Sequence, residues 1–309
     1  MRTFEPEEIV VALTDGAMRE QGEGLSRFER VAIAEFVTGR AIGLGSDTNT
    51  GLCSVSDQWK GLGNGPQWNG WGADVTNRRY QPALQAGLEI SDVSRLELKW
   101  AFGFPDATSA WAQPTVVGGR LFLGDQNGKV YALDAKTGCM HWTFEAQSGV
   151  RSSITVTRLN DGRQVLFFGD LNANVYSLDA LSGERLWTND VENHEGARIT
   201  GAPVVYSDKI FVPVSSAEET LALDPEYACC TFRGSLVSLD TATGELDWKT
   251  YVIPERPRPR GRNPDGAFLM GPAGAAIWSA PTVDVARGVV YVGTGNAYTE
   301  PSSATSDAI

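Results

Sequence analysis

Between residues 110 and 250 short apolar runs alternate with tight polar breaks, the pattern of many short β-strands joined by turns rather than of long helices. One phrase returns three times. It reads Gly128-Lys129-Val130-Tyr131-Ala132-Leu133-Asp134, then Thr137-Gly138 and Trp142; Asn174-Val175-Tyr176-Ser177-Leu178-Asp179, then Ser182-Gly183 and Trp187; Gly234-Ser235-Leu236-Val237-Ser238-Leu239-Asp240, then Thr243-Gly244 and Trp248. The Asp-to-Asp spacings are 45 and 61 residues and each Trp keeps its offset, so the pattern is a structural repeat with one insertion. Each phrase predicts a strand, a tight turn and a second strand. In the turn, Asp and Thr or Ser can hydrogen-bond backbone groups, and Gly supplies the positive φ that other residues resist.

Two more apolar runs precede each phrase, as in Pro114-Thr115-Val116-Val117 and Leu121-Phe122-Leu123 around Gly118-Gly119. Four short strands in about 45 residues is the periodicity of a β-propeller blade, with the Trp expected to wedge between neighbouring blades. Complete blades are predicted near 110–145, 152–190 and 199–250, with Val93–Phe102, carrying Trp100, as an outer strand that closes a ring. A fourth starts at Ala280-Pro281-Thr282, runs through Val289-Val290-Tyr291-Val292 and stops at Ile309, where the Asp-turn-Trp phrase should begin. A propeller hides its sheet edges by closing. The expectation is therefore an all-β fold, a partial β-propeller belonging to a longer protein, with a small scaffold complete at 309 residues as the alternative. The insert Ile253–Ala267, with Arg256, Arg258, Arg260 and Arg262 among four prolines, is expected to be an exposed, proline-stiffened loop.

The first 40 residues follow a helical period instead. Pro6-Glu7-Glu8 opens one helix, continued by Ile9, Val10 and Leu13; Ser26 and Glu29 form the capping box of another, with a stripe at Leu25, Phe28, Ala32 and Phe36 and a stop at Gly39. Gly16-Ala17-Met18 lies between, and the simplest reading makes Met18 an apolar filler of a helical hairpin. Composition narrows the partners. With 26 basic and 38 acidic side chains the net charge is −12 and no long basic run is present, so nucleic acid is not expected as a partner. No apolar stretch approaches the roughly 20 residues of a membrane span, and the first 30 residues show no signal peptide. The 34 Gly and 9 Trp suit a turn-rich β protein.

The helix, Gly-Ala-Met, capping box and helix ending Val37-Thr38-Gly39 resemble the C-terminal half of a c-type cytochrome domain. That resemblance implies Met18 as an axial haem ligand, with haem c held only in a full-length parent, because the Cys-x-x-Cys-His attachment site is absent. Gly, Asn, Ser and Thr are dense from Gly43 to Gly65. Beyond them Trp68-Asn69-Gly70-Trp71-Gly72, Trp100-Ala101-Phe102-Gly103-Phe104-Pro105, Gln113-Pro114-Thr115 and Tyr131-Ala132-Leu133-Asp134-Ala135-Lys136-Thr137-Gly138-Cys139 resemble the pyrroloquinoline quinone (PQQ) alcohol dehydrogenases, nearest the polyvinyl alcohol dehydrogenase branch. The resemblance covers about residues 60–309 and implies roughly half of an eight-bladed propeller. It divides the chain into cytochrome-like helices at 1–42, a linker at 43–75 and an incomplete propeller at 76–309.

The resemblance also implies an activity: oxidation of a secondary or polymeric alcohol with PQQ and Ca²⁺, electrons passing to a cytochrome c, in the periplasm. PQQ is a flat tricarboxylated o-quinone, so it needs aromatic faces, cationic and hydroxyl partners, and a hard cation at its reactive carbonyl. By their local motifs Trp278 matches the family's stacking Trp and Arg151 its carboxylate-binding Arg; Thr200 and Ser215 match hydroxyl positions beside the cofactor. Glu218 and Asn296 match carboxylate and amide ligands of the Ca²⁺. Glu219 rivals Glu218. The family's base, an Asp, is expected beyond Ile309, so the chain alone is expected to be inactive. His141 and His194 read as structural. Cys229 and Cys230 are adjacent, and either a vicinal disulfide or two buried thiols fits; some family members place such a disulfide against the quinone, at a position where this chain has Gln147-Ser148-Gly149. The alternative function is a cofactor-free propeller scaffold of the outer-membrane-assembly type, which would have no use for Trp278, Arg151, Glu218 and Asn296 together.

Overall fold

The computed structural model describes residues 5–39, 51–54, 59, 61–63 and 65–309, except the side chain of Phe28. The expected boundary between 42 and 43 lies outside the described residues. Three antiparallel sheets coincide with the three predicted repeat units. The first runs β1 (Thr115–Val117), β2 (Arg120–Gly124), β3 (Lys129–Asp134), β4 (Met140–Glu145); the second β5 (Thr155–Arg158), β6 (Gln164–Gly169), β7 (Asn174–Asp179), β8 (Arg185–Asp190). In the third, β9 (Ala197–Arg198) pairs with the end of β11 (Lys209–Ser216), which lies between β10 (Val204–Tyr206) and β12 (Ser235–Asp240), with β13 (Leu246–Tyr251) at the far side.

The repeated turn works as its residues require. Asp134 Oδ1 accepts from the Lys136 and Thr137 amides and the Thr137 hydroxyl, and Asp179 and Asp240 repeat the arrangement. Gly138, Gly183 and Gly244 hold φ of 76°, 76° and 73°. A second constraint comes from the neighbouring sheet: a Cβ on these glycines would stand 2.8, 2.7 and 2.6 Å from the rings of Trp100, Trp142 and Trp187. Each indole N–H then donates to the next turn, at Ala135 O, Ala180 O and Thr241 O. The expected wedge is thus a Trp laid on a side-chain-free turn. Buried clusters fill the spaces between sheets, Phe122, Val130, Leu166 and Phe168 joining the first to the second, Phe167, Val175, Val212 and Val237 the second to the third. Asp125 and Asp170, fully buried, accept from Tyr131 and Tyr176 hydroxyls at 2.8 Å.

Several details differ from the sequence expectations. Val93–Phe102 forms no ladder: Ile90–Arg95 is a 3-10 turn and the rest is irregular, because the first sheet already has its four strands and no other strand runs beside it among the described residues. Trp100 still wedges as expected. The insert is a hairpin of β14 (Arg258–Arg262) and β15 (Phe268–Gly271) rather than a loop; its prolines are tolerated because β14 has an unpaired outer edge and its register slips between Pro259 and Gly261. The exposure of β14 was legible. Next, β16 (Ala273–Gly274) pairs with β19 (Ala297–Thr299), and β17 (Thr282–Asp284) pairs with β18 (Val289–Tyr291) where the fourth unit was expected.

At the N-terminal side, α1 (Pro6–Thr14), α2 (Arg19–Gly22) and α3 (Arg27–Thr38) precede α4 (Ala83–Ala86) and α5 (Glu218–Leu221). The Ser26–Glu29 capping box forms reciprocally and Gly39 ends α3 in the left-handed region. The stripe faces elsewhere than expected: Ala32 and Phe36 are exposed, while Leu13 and Ala34 are buried where α1 and α3 meet. Glycine at 22, the end of α2, lets that helix approach α1, since a Cβ there would strike the Leu13 carbonyl. Among the described residues no helix is long and apolar enough to cross a membrane.

Candidate functional site

A repeat puts equivalent residues at one place. Trp111, Arg151, Thr200 and Trp278 each stand four residues before the first strand of their unit, β1, β5, β10 and β17. All four, with Trp71 and Ser279, line one cavity of about 430 Å³. The sequence reading named Arg151, Thr200 and Trp278, and the structure brings them together. It missed Trp111 and Trp71. Trp111 was findable from the shared offset, whereas Trp71 belongs to no strand unit.

The cavity is aromatic and cationic. Trp111, Trp278 and Trp71 are 59%, 39% and 38% exposed, and none of their N–H groups has a protein acceptor among the described residues, unlike the wedge indoles. The Arg151 guanidinium stands 5.4 Å from the Trp111 ring centroid and has no ion-pair partner among the described residues. Gln113 ties the two loops together, donating to Gly70 O and Trp71 O while accepting from Arg79, which stacks on Trp71 at 4.2 Å. Ser215 is fully buried behind this wall, not on it: its hydroxyl donates to Arg198 O and meets the Thr200 hydroxyl at 3.0 Å. It positions Thr200, whose hydroxyl also reaches Trp278 O at 3.4 Å. Flat faces, an unpaired cation and a hydroxyl fit a planar, carboxylate-bearing ligand such as PQQ.

The expected cation ligands are arranged differently. Glu218, at the start of α5, is fully buried. Its Oε1 accepts from the Thr231 amide at 2.7 Å, the Tyr227 hydroxyl at 3.1 Å and the Thr231 hydroxyl at 3.3 Å, and Oε2 from the Phe232 amide at 2.9 Å. His194 Nε2 is 3.3 Å from Oε1, and its Nδ1 accepts from the Gly196 amide, which leaves the proton on the side facing Glu218. Burial alone would raise the Glu218 pKa, but the bonds from His194 and the two amides outweigh it and hold the carboxyl below the ordinary glutamate value. Glu219 instead lies beside Tyr298, whose phenol is pushed up by burial and by that carboxylate. Asn296 is exposed and donates to Ala297 O. No hydrogen bond or ion pair joins it to Glu218 among the described residues, nor do three His, Cys, Asp or Glu residues gather there to hold a metal. As arranged, the Glu218 oxygens accept from a protein loop, and a Ca²⁺ ion held by the pair would have to displace some of those donors.

That loop carries the Cys229–Cys230 disulfide, docked on the hairpin through Met270 rather than on the cavity. A second disulfide, Cys53–Cys139, went unread in the sequence, where nothing marks two half-cystines 86 residues apart. His194 is structural, as expected. Met18 is the N-cap residue of α2 and is 45% exposed.

The PQQ family model, glucose/ethanol/alcohol dehydrogenase, β-propeller domain, matches residues 68–305. The chain is 41% identical to a polyvinylalcohol dehydrogenase of a Pseudomonas species over 97% of its own length and 49% of the relative's, and 39% identical to that of Sphingopyxis sp. strain 113P3 over 97% and 48%. It thus spans about half the length of the curated relatives it matches. The crystal structure of quinohemoprotein alcohol dehydrogenase from Comamonas testosteroni shares the fold, with a TM-score of 0.57 and 24% identity over 75% of this chain and 36% of that one.

Proposed function

We propose, from the premise that the chain belongs to the PQQ β-propeller family of alcohol dehydrogenases, in its polyvinyl alcohol dehydrogenase branch, that the Trp278–Arg151 cavity holds PQQ for the oxidation of a secondary or polymeric alcohol. The observation that carries this is the convergence, in one cavity, of indoles whose N–H groups have no protein acceptor and a guanidinium with no carboxylate partner among the described residues. Bound there, PQQ supplies a two-electron oxidant for the alcohol carbon. Arg151 neutralises a carboxylate of the cofactor, Trp278 covers a ring face and excludes water, and Thr200, oriented by Ser215, adds a hydroxyl contact. None of the side chains named in the wall is a carboxylate or imidazole, so no base is assigned among the described residues. No step is assigned to a metal.

The polymeric substrate rests on the two polyvinylalcohol dehydrogenase relatives. A cytochrome c is the proposed electron acceptor, supported by the quinohemoprotein relatives. Two disulfides support a periplasmic location, since such bonds persist in oxidising compartments. The test is retention: the chain is incubated with PQQ, desalted and scanned for quinone absorbance. About one equivalent should stay with the wild type, by the single-site reading, and far less with Arg151→Ala or Trp278→Ala. No retention by the wild type, or equal retention by the variants, overturns the proposal.

A further inference from the structure

We infer that Trp111 is a second wall of the cofactor site, aligned by Arg151, a role that rests on the PQQ reading above. Three observations converge on it. First, Trp111 holds the same place in the repeat as Arg151, Thr200 and Trp278, four residues ahead of the first strand of its unit. Radial repetition carries that place to one face of the sheets, and the four side chains do share one cavity.

Second, Trp111 does not pack as the wedge indoles do. Trp100, Trp142 and Trp187 bury their rings on glycine turns and spend their N–H groups on carbonyls. Trp111 is 59% exposed, its N–H has no acceptor among the described residues, and its neighbour Ala112 is buried. An indole left in water forgoes the burial that normally keeps large aromatic side chains inside, and a ligand face would restore it.

Third, the ring is already held in place. Arg151 lies over it at 5.4 Å, and Gln113 fixes the backbone two residues on by bonds to Gly70 O and Trp71 O. A planar anion entering beside Trp278 would meet the Arg151 charge and the Trp111 ring together. The ligand class is a flat, polycarboxylated aromatic. Trp111 adds a stacking face or an N–H donor; Arg151 adds the charge.

The test measures the dissociation constant of PQQ for the 309-residue chain by its quenching of tryptophan fluorescence, for wild type, Trp111→Leu, Trp111→Phe and, as a control outside the cavity, Trp248→Leu. Trp111→Leu should weaken binding about tenfold, the size of one lost aromatic stack, and Trp111→Phe by about threefold. Trp248→Leu should bind like the wild type. Wild-type-like binding by both Trp111 variants overturns the inference while leaving the site reading intact, whereas failure of the wild type to bind overturns both. If Trp111→Leu does not fold, Trp111→Phe, which keeps an aromatic ring on an exposed position, decides: binding equal to the wild type with the N–H removed, and no loss of affinity on Arg151→Lys, overturns it.

Discussion

At the scale of single residues, Glu218 shows how burial and hydrogen bonding set a role that residue type leaves open. Its carboxylate is closed to solvent and receives two backbone amides, two hydroxyls and the His194 ring, which hold its pKa down. A depressed pKa stabilises the fold fully above the unfolded-state value, 4.5, and that contribution is lost as pH falls through the folded value. Glu218→Gln should therefore unfold more readily at pH 7, by about 1–3 kcal/mol because an amide N–H₂ must face an existing donor. The two stability curves should converge in acid, and parallel curves from pH 7 to pH 3 would count against the role. These partners were not legible in the sequence because Thr231 and Phe232 arrive 13 and 14 residues later from an insert without periodicity. The turn residues Asp134, Thr137 and Gly138 were legible because their partners are local. Trp111 was half legible: its offset was in the sequence, its exposure was not.

At the scale of elements, the repeat fixed the strands of three sheets, while the ends of the pattern misled. Val93–Phe102 has strand composition but no ladder to join, and composition cannot report the absence of a neighbour. The hairpin of β14 and β15 is the opposite case, since prolines argue for a loop until the register slip and a free edge admit them. With the residues just before it, the hairpin carries four arginines, and Arg256 and Arg258 precede prolines, which trypsin resists. Arg260 lies in the slip with its Nε bonded to Gly271 O, whereas Arg262 borders the turn at 263–267. Limited trypsin digestion of the native chain should cut first at Arg262–Asn263, the bond nearest the exposed tip. A first cut between the strands of the three sheets would contradict the hairpin.

At the scale of the whole molecule, stacked Trp–Gly contacts tie sheet to sheet, whereas the equivalent Trp248 meets no glycine turn among the described residues and is 39% exposed beside a groove of about 840 Å³ lined by Phe211, Ile277 and Val290. The same stacking brings the starts of the units to one face, so residues as distant as Trp71 and Trp278 share a cavity. A fold made of local repeats can be read from its sequence, whereas a cavity assembled from one residue per unit becomes visible only once the register is known. The central claim is that this cavity is the PQQ site. A crystal structure of the chain grown with PQQ tests it most directly: flat density against Trp278, with a carboxylate on Arg151, is the predicted result. Well-ordered PQQ in the Trp248 groove, with the Trp278–Arg151 cavity filled only by water, would contradict it.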